Sequence, residues 1–407
     1  MDTNMLSRRK FIFGLGSAAA VLSTVTVIPS GVLASSKTVR VGVLHSLSGT
    51  MAISEIDVRN ATLLAIEEIN NSGGVMGHTI RAIVEDGASN PATFAQKAEK
   101  LILRDKVATV FGGWTSASRK AMLPVFERLK NLLWYPVQFE GNECSANIIY
   151  TGAQPNQQIL PALEWAFAQG YRKIFLVGSD YVFPRTANLI LKRHIQSKGG
   201  TVSGEEYVPL GGTDFSSVVN KIRAAKPDIV FNTINGDSNV AFFKQMQAAG
   251  LGPKVLPVIS FSIAEVEAKA IGVPLLEGSL AAWNYFMSLN NRENARFISA
   301  YRRKYGRDAL ITDPMAHGYI NVYLWKQAVE RAGSFEPDKV RKALVELPWM
   351  DSILGKIKVA NNQSLYQTAY IGRLRSDGQF EIIWSSDKPI APEPYDPLAF
   401  PGKKCVL

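Results

Sequence analysis

Short apolar segments alternate with amphipathic ones along almost the whole chain, and this alternation constrains the fold more than any other feature. The apolar segments are rich in β-branched residues and predict strands, whereas the segments between them have apolar residues at helical spacing. The first series predicts strands over 37–44, 79–85, 107–111 and 132–135, with helices over 56–70, 91–104 and 118–129. Strands that alternate with helices form parallel sheets covered by helices on both faces.

A second series of the same kind begins near residue 155. It predicts helices over 159–169, 186–197, 215–225 and 240–249, with strands over 173–177, 201–208, 229–232 and 255–259. Two such series in one chain predict an α/β protein with two doubly wound lobes.

The segments that follow the predicted strands are where we expect a ligand to bind, because open α/β sheets bind ligands beyond the carboxyl ends of their strands. These segments are rich in Ser, Thr, Gly, Tyr and Asn and cover 45–49, 112–116, 135–140, 178–183, 233–238 and 260–264. Turns favour Ser, Gly and Asn in any case, so ordinary turns are an alternative. A small-molecule pocket explains better the aromatic residues among them, which are Trp114, Tyr135, Tyr181 and Phe183.

The first 34 residues have the pattern of an export signal. Arg8 and Arg9 precede a mildly apolar run over 11–28, and the segment ends at the small residue Ala34. Paired arginines in this position are typical of the twin-arginine route, and the small-residue end is typical of a signal-peptidase site. We therefore expect a twin-arginine signal over 1–34 and a periplasmic protein without a later membrane span. A membrane anchor and a basic start without a targeting role are the alternatives.

Charge and motifs argue against nucleic-acid partners and against an enzyme. The net charge is +10, but the basic residues are scattered, and the densest run, 302–304, is typical of a solvated helix face. The four histidines lie apart, without metal-ligand spacing. The sequence also lacks the phosphate-loop and nucleophile-elbow motifs. We expect a binding protein without a metal or cofactor, with an exported amidase as the enzymatic alternative.

The chain contains two cysteines, Cys144 and Cys405. In an exported protein such a pair could form a disulfide, which would tie the C-terminal tail to the body of the protein. Two free thiols are the alternative.

Five segments carry a resemblance to a known family. They are 41–49 (VGVLHSLSG), 112–120 (GGWTSASRK), 133–141 (LWYPVQFEG), 178–185 (GSDYVFPR) and 232–239 (NTINGDSN). With these segments the chain resembles the type I periplasmic binding proteins of the branched-chain amino acid and amide group. It is most similar to the urea-binding components of urea ABC transporters, and the segment 232–239 in particular points to that branch.

The resemblance implies two doubly wound, parallel-sheet lobes joined by a three-crossover hinge. The first lobe would comprise 37–154 and 283–352, the second 155–282 and 353–390, and the C-terminal tail 391–407. It also implies that a small molecule is captured between the lobes by hinge closure and passed to the permease subunits of an ABC transporter. Relatives are often monomeric, so a monomer is expected.

The resemblance implies ligand contacts at particular positions. Relatives contact their ligand through positions that match Ser116, Tyr135 and the backbone of Val137. Positions in the other lobe match Tyr181, Asp237 and Ser262. Phe183 stands where amide-sensing relatives have a tyrosine, and the missing hydroxyl argues against an amide-sensing role.

The hydrogen-bonding needs of urea agree with these positions. Urea has four N–H donors and one acceptor, and each polar group left unpaired in a dry pocket costs about 1–3 kcal/mol. Asp237 and Gln138 could accept N–H bonds, while the Ser116 hydroxyl or a backbone N–H could donate to the urea oxygen. Flat walls over a planar ligand could come from Trp114, Tyr135 and Tyr181. Asp237 could instead cap the helix that begins near residue 240, and short-chain amides or branched-chain amino acids are the alternative ligands.

Overall fold

The fold is described from a computed structural model, which covers residues 37–407. The export signal expected at 1–34 lies outside the described residues. Within residues 37–407, no helix is both long enough and apolar enough to cross a membrane.

The first series of elements forms a five-stranded parallel sheet with the strand order β2-β1-β3-β4-β5. Its elements are β1 (Lys37–His45), α1 (Ala52–Asn71), β2 (His78–Asp86), α2 (Pro91–Leu103), β3 (Val110–Gly112), α3 (Ser116–Leu129), β4 (Leu133–Tyr135) and β5 (Ile148–Tyr150). Residues 41–45 of β1 are all buried, as expected of a strand covered on both faces. The predicted alternation is confirmed, and β5 is an additional strand of only three residues.

The second series contributes five strands to a seven-stranded sheet with the order β15-β14-β10-β9-β8-β6-β7. The strands β14 (Tyr370–Leu374) and β15 (Phe380–Ser385) come from the end of the chain. A 3₁₀ helix over Pro155–Gln157 leads into the second series. Its elements are α4 (Ile159–Ala168), β6 (Lys173–Ser179), α5 (Val182–Ser197), β7 (Thr201–Val208), α6 (Ser216–Ala225), β8 (Ile229–Thr233), α7 (Ser238–Ala248), β9 (Val258–Ser260), α8 (Glu265–Ile271), α9 (Val273–Leu276) and β10 (Leu280–Trp283). These five strands are parallel to one another.

The remaining elements add helices and short antiparallel strands. They are α10 (Arg292–Tyr305), α11 (Asp313–Ala332), α12 (Pro337–Val345), β11 (Met350–Ser352), β12 (Gly355–Val359), β13 (Leu365–Tyr366), β14 (Tyr370–Leu374) and β15 (Phe380–Ser385). Strands β11 to β13 form a small antiparallel sheet. Strands β14 and β15 join the second sheet in antiparallel orientation, so that sheet is mixed rather than wholly parallel.

The hydrophobic cores show which segments pack together. One core contains buried residues from 39–150 and 285–365, and two further cores contain residues from 159–283 and 371–380 together with Phe286. We call the parts of the chain around the first core the first lobe and those around the other cores the second lobe. The division from the sequence placed 353–365 in the second lobe, but Ile353 to Leu365 pack in the first core, where Ser364 bridges to Tyr150 of β5. Trp283 likewise packs in a core of the second lobe.

Three segments of the chain cross between the lobes, as the resemblance implied. The first lies between residues 150 and 159, the second near residue 284, and the third between residues 365 and 371. Buried amide side chains join these three crossings. Asn284 Nδ2 in the second crossing donates to the carbonyl oxygens of Gln157 (3.1 Å) and Thr368 (2.9 Å), which lie in the other two. Gln367 Nε2 donates to Gln157 Oε1 at 3.3 Å, and His317 Nε2 lies 2.9 Å from Gln367 Oε1. Because buried amides need partners, these bonds fix the three crossings relative to one another.

A buried carboxyl group lies against the second crossing. Glu265 Oε1 accepts a hydrogen bond from the Met287 backbone N–H at 2.7 Å, and the residue is fully buried. Burial raises the pKa of Glu265 from 4.5 to about 8, and the neighbouring carboxylates Glu267 and Asp313 also raise it. Glu265 is therefore mostly protonated in the folded protein at neutral pH.

The raised pKa of Glu265 predicts a pH-dependent stability. Its contribution is complete below the ordinary pKa of 4.5 and is lost as the pH rises towards 8, because the folded state holds the proton more tightly. The slope from one such group is at most about 1.4 kcal/mol per pH unit. In guanidinium chloride titrations, Glu265→Gln should flatten the fall in unfolding free energy between about pH 5 and pH 8. Glu164→Gln, at an exposed carboxylate paired with Lys198, should leave the profile unchanged. Parallel profiles for the wild type and Glu265→Gln would contradict this.

The C-terminal tail is attached to both lobes. Cys144 and Cys405 form a disulfide, with their Cα atoms 5.5 Å apart, a separation that is ordinary for such bonds. Asp396 Oδ2 lies 2.8 Å from His194 Nε2 on α5, and Phe400 packs against a core of the second lobe. The tail therefore runs over the second lobe and ends covalently on the first.

Candidate functional site

The carboxyl ends of the strands in the two lobes face each other, and hydrogen bonds join them directly. Trp114 Nε1 in the first lobe donates to Asn235 Oδ1 in the second at 3.2 Å. Gln138 Nε2, also in the first lobe, donates to the Phe261 carbonyl oxygen at 2.8 Å and to Ser262 Oγ at 3.0 Å. The lobes are thus in contact across the cleft, and a small ligand held between these residues would be enclosed.

The predicted site residues differ in their exposure to solvent. Those that are buried are Trp114, Ser116, Tyr135, Val137, Gln138 and Ser262. Tyr181 is half-buried and Asp237 is exposed. The buried set lies at the facing strand ends, whereas Asp237 lies at the rim of the cleft.

Asp237 contacts the opposite lobe. It is the N-cap residue of α7, but its side chain makes no capping hydrogen bond. Instead its carboxylate accepts a hydrogen bond from Thr50 Oγ1 of the first lobe. The Asp237 side chain therefore does not cap α7, which was the alternative considered from the sequence. It forms a hydrogen bond that joins the two lobes.

Local backbone geometry sets the position of Ser116. Strand β3 ends at Gly112, where a Cβ atom would lie 1.9 Å from the Leu44 carbonyl oxygen, so only glycine fits this turn. Thr115 then caps α3 by accepting from the Ser118 N–H at 3.1 Å. Ser116 is the first residue of the helix and lies at the cleft edge of the sheet.

A buried ionic cluster lies directly beside Ser116. Arg119 is fully buried and donates from Nη1 to Ser116 Oγ (2.8 Å), from Nη2 to Glu140 Oε1 (3.0 Å) and from Nε to Glu143 Oε1 (2.7 Å). Its guanidinium also faces two aromatic rings, those of Tyr135 at 4.9 Å and Phe139 at 4.7 Å. Charge, hydrogen bonds and ring contacts together satisfy a cation that could not otherwise be buried.

Two groups of this cluster, Glu143 and Arg119, are held in their charged forms. Burial alone would raise the pKa of Glu143, but Arg119 and Lys120 lower it to about 2. Burial alone would lower the pKa of Arg119, but Glu143 and Glu140 raise it well above its ordinary value. The cluster is therefore an ion-pair network in which the positive charge of Arg119 is already compensated.

The sequence offered only a weak signal for this cluster. Ser116 and Arg119 are three residues apart, so a helix places them on one face, and 112–120 was noted for its resemblance. Glu140 and Glu143 lie more than twenty residues further along the chain, and only the tertiary fold brings them to Arg119. None of the three charged residues was among the predicted site residues.

Hydrogen bonds fix the direction of the hydroxyl groups at the site. Ser116 donates its proton to Glu140 Oε2, and Tyr135 donates its proton to the Trp114 carbonyl oxygen. Burial raises the pKa of Tyr135, so this proton stays on the phenol. Both oxygens can therefore only accept a further hydrogen bond. The role expected for Ser116, donation to a ligand oxygen, is wrong for this arrangement because its proton is already used.

The Gln138 amide likewise offers a ligand only a hydrogen-bond acceptor. Its NH₂ group is used for the bonds to Phe261 and Ser262, while the buried Oε1 finds no hydrogen-bond partner among residues 37–407. Since a buried acceptor without a partner is unfavourable, this oxygen favours a ligand that brings an N–H group.

Further polar groups reach the same cleft from α1 and β1. His45 Nδ1 lies 3.3 Å from Glu55 Oε2, which also accepts from the Ser46 backbone N–H at 2.8 Å. Burial raises the pKa of Tyr181, and Tyr135, Glu140 and Glu55 add to that rise. In the described part of the chain, no group of three or more His, Cys, Asp or Glu side chains could hold a metal ion.

Comparison with protein families identifies the fold and class of the chain. The model of the periplasmic binding protein domain matches residues 39–399. The chain is 23% identical over 376 residues to Leu/Ile/Val-binding protein homolog 8 of Brucella abortus, covering 87% of this chain and 92% of that protein. A shorter match, 31% identical over 124 residues, is to a limonene hydroxylase of Geobacillus stearothermophilus, and it covers 30% of this chain and only 23% of that protein.

Solved structures share the same fold. A solute-binding protein of an ABC transporter from R. palustris, in complex with 4-hydroxybenzoate, superposes with a TM-score of 0.76 at 23% identity, covering 87% of this chain and 98% of that chain. A leucine-binding protein from Thermotoga maritima superposes with a TM-score of 0.77 at 20% identity, covering 86% of this chain and 98% of that chain.

These matches and the two-lobed architecture agree with one another. The family match spans nearly all of the described residues, and the similar structures share the fold over 86–87% of this chain. The family implies an exported, periplasmic location and the binding of solutes rather than catalysis. The chain therefore belongs to the periplasmic binding protein family and is a solute-binding protein of the type I fold, not an enzyme.

Proposed function

We propose that this protein captures urea between its two lobes and delivers it to the permease subunits of an ABC transporter. The observation that carries the proposal is that the cleft offers mainly hydrogen-bond acceptors to a ligand. The oxygens of Ser116 and Tyr135 can only accept hydrogen bonds, and Gln138 Oε1 is a buried acceptor without a partner among the described residues. Such a surface favours a neutral ligand that consists mostly of N–H donors.

The same polarity disfavours ligands with a carboxylate. Benzoates and amino acids carry a negative charge that needs N–H or O–H donors or a free cation. Arg119 already bonds Glu140, Glu143 and Ser116, so its charge is not free for a ligand. Urea carries no charge and offers donors on both sides of its carbonyl group, which agrees with the acceptors present.

The remaining requirement is a donor for the urea oxygen. Tyr181 follows the carboxyl end of β6 in the second lobe, and it keeps its proton because burial raises the pKa of its phenol. We assign this role to Tyr181 in place of Ser116. The proposed contact residues are thus Trp114, Ser116, Tyr135, Val137, Gln138, Tyr181, Asp237 and Ser262.

Closure of the lobes accounts for capture. The ligand shifts the equilibrium towards the closed form only by its greater affinity for that form, and the cross-lobe bonds of Trp114, Gln138 and Asp237 exist only when the strand ends meet. We propose a first lobe of 37–154 and 284–365 and a second of 155–283 and 366–390. We also propose a twin-arginine export route and a monomeric state.

Asp237→Ala should weaken urea binding by more than tenfold, because it removes both the hydrogen bond from Thr50 and the carboxylate that we propose accepts an N–H group of urea. A hydrogen bond to a charged group is worth about 1.5–3 kcal/mol, which corresponds to roughly tenfold or more. Calorimetry on the purified variant checks this. Thr50→Val is the matched control, since it removes the hydrogen bond between Thr50 and Asp237 but keeps the Asp237 carboxylate. A larger loss for Asp237→Ala than for Thr50→Val indicates direct ligand contact, and unchanged affinity in Asp237→Ala would contradict the assignment.

A thermal-shift panel tests the proposed function. Urea at about 100 times its Kd should stabilise the protein by roughly 2.7 kcal/mol. As a denaturant, urea lowers the free energy of unfolding by about 1–3 kcal/mol per molar, which is only about 0.001–0.003 kcal/mol at 1 mM. Formamide, acetamide, leucine and 4-hydroxybenzoate complete the panel. Stabilisation by leucine or 4-hydroxybenzoate but not by urea would refute the proposal, and stabilisation by acetamide alone would identify a short-chain amide carrier.

A further inference from the structure

Glu140 controls the hydrogen-bonding direction of Ser116. Both side chains are at most 1% exposed, and Ser116 Oγ donates to Glu140 Oε2. A serine hydroxyl has one proton and two acceptor positions. Glu140 takes the proton, and Arg119 Nη1 takes one acceptor position at 2.8 Å. Only one acceptor position of Ser116 is left for the cleft.

The orientation of Glu140 is itself fixed. Its other oxygen, Oε1, accepts from Arg119 Nη2 at 3.0 Å and lies 3.6 Å from Lys120 Nζ. The cations therefore hold Oε1, so Oε2 is turned towards Ser116. Glu143 accepts from Arg119 Nε (2.7 Å), from Nη2 (3.3 Å) and from the Tyr150 hydroxyl (3.0 Å), and it makes no hydrogen bond to Ser116.

We propose that Glu140 is a positioning residue that determines ligand specificity through Ser116. By holding the Ser116 proton, it makes the hydroxyl an obligate acceptor, so that the site binds N–H groups and rejects carboxylates. The proposal rests on the proposed function in one respect, namely that the ligand lies at these strand ends. It adds a reason why a fold shared with carboxylate-binding proteins selects a neutral ligand here.

Glu140→Gln tests this directly. Arg119 requires an acceptor, so the glutamine would turn its oxygen to Arg119 and its NH₂ group to Ser116. The Ser116 proton would then be free to point into the cleft. We expect urea and acetamide to bind at least tenfold more weakly. Acetate, which has nearly the shape of acetamide, should bind measurably, so the acetamide-to-acetate affinity ratio should fall by at least tenfold.

Glu143→Gln is the matched control. It removes the same charge from the same cluster without touching Ser116, so the acetamide-to-acetate ratio should stay within about threefold of the wild type. An equal fall of the ratio in both variants would overturn the proposal, because charge alone would then explain it. An unchanged ratio in a folded Glu140→Gln protein would overturn it as well.

A second variant covers the case in which Glu140→Gln does not fold. Ser116→Ala removes the acceptor and creates no donor, so urea affinity should fall at least fivefold without any gain of acetate binding. Unchanged urea affinity in Ser116→Ala would overturn the role of Ser116 and with it that of Glu140.

If the wild type binds carboxylates instead of urea or acetamide, both this proposal and the proposed function fail. If it binds acetamide but not urea, only the choice of urea fails.

Discussion

Replacing Arg119 by methionine should lower the free energy of unfolding by about 3–5 kcal/mol, because removal of one partner leaves buried charges uncompensated. Arg119 is fully buried and holds Glu140 and Glu143, which are themselves buried. Methionine fills much of the same volume, so the loss reports mainly on the two carboxylates. The change should also disturb Ser116, which is hydrogen-bonded to Arg119.

Guanidinium chloride is the appropriate denaturant for this measurement, since urea is the proposed ligand. Arg128→Met is the matched control on the same helix, because Arg128 forms an exposed ion pair with Glu99, and such pairs contribute about 0.2–1 kcal/mol. Combining Arg119→Met with Glu140→Gln and Glu143→Gln should recover part of the loss, since the unpaired charges are then gone. A loss below about 1 kcal/mol for Arg119→Met alone would contradict a compensated buried cation.

Cys405→Ser should lower the free energy of unfolding by about 2–5 kcal/mol. The disulfide to Cys144 spans 261 residues, and for so long a loop the chain-entropy model gives about 5 kcal/mol, with the mechanism disputed. The tail keeps other contacts, including the hydrogen-bonding contact of Asp396 with His194 at 2.8 Å, so the measured loss should lie at or below that figure.

The disulfide variants provide their own control. Cys144→Ser, and the double variant of both cysteines, should lose the same stability as Cys405→Ser, because each removes the same bond. Limited proteolysis should also cut the tail more readily in all three. Wild-type protein in which a thiol reagent titrates two groups after unfolding without reductant would contradict the bond, as would unchanged stability in the variants.

Much of the fold was predictable from the sequence because strand and helix periodicities are local. The apolar segment 37–44 became strand β1 (Lys37–His45), which is buried from residue 41 onward. The predicted helix 91–104 became α2 (Pro91–Leu103), with Pro91 in its first turn and Asn90 as its N-cap. The strand predicted at 255–259 is displaced to Val258–Ser260, since Val255 lies in an exposed turn. Short strands such as β5 give too few residues for a periodicity to be visible.

The site was predictable only in part. Strand-end positions follow from topology, so Trp114, Tyr135 and Gln138 could be placed near the cleft from the sequence. The ion pairs of Arg119 and the amide contacts of Asn284 join residues that are far apart in the chain, and no local pattern encodes such pairings. The direction of the Ser116 hydroxyl depends on these distant partners, which is why its donor role was wrong.

The boundary between the lobes could not be predicted from local sequence patterns either. The segment 353–365 contains apolar residues that fit either core by composition. Its side chains pack in the first core, and Ser364, which immediately precedes β13, bridges to Tyr150 of β5. That contact joins residues more than two hundred positions apart and could be found only in the folded chain.

Calorimetric titration of the wild-type protein with urea tests the central claim most directly. The account predicts saturable binding with a stoichiometry near one, at urea concentrations far below the molar range in which urea denatures proteins. It also predicts little or no heat from leucine or 4-hydroxybenzoate under the same conditions. Saturable binding of either carboxylate, without binding of urea, would contradict the claim that this cleft selects a neutral N–H donor.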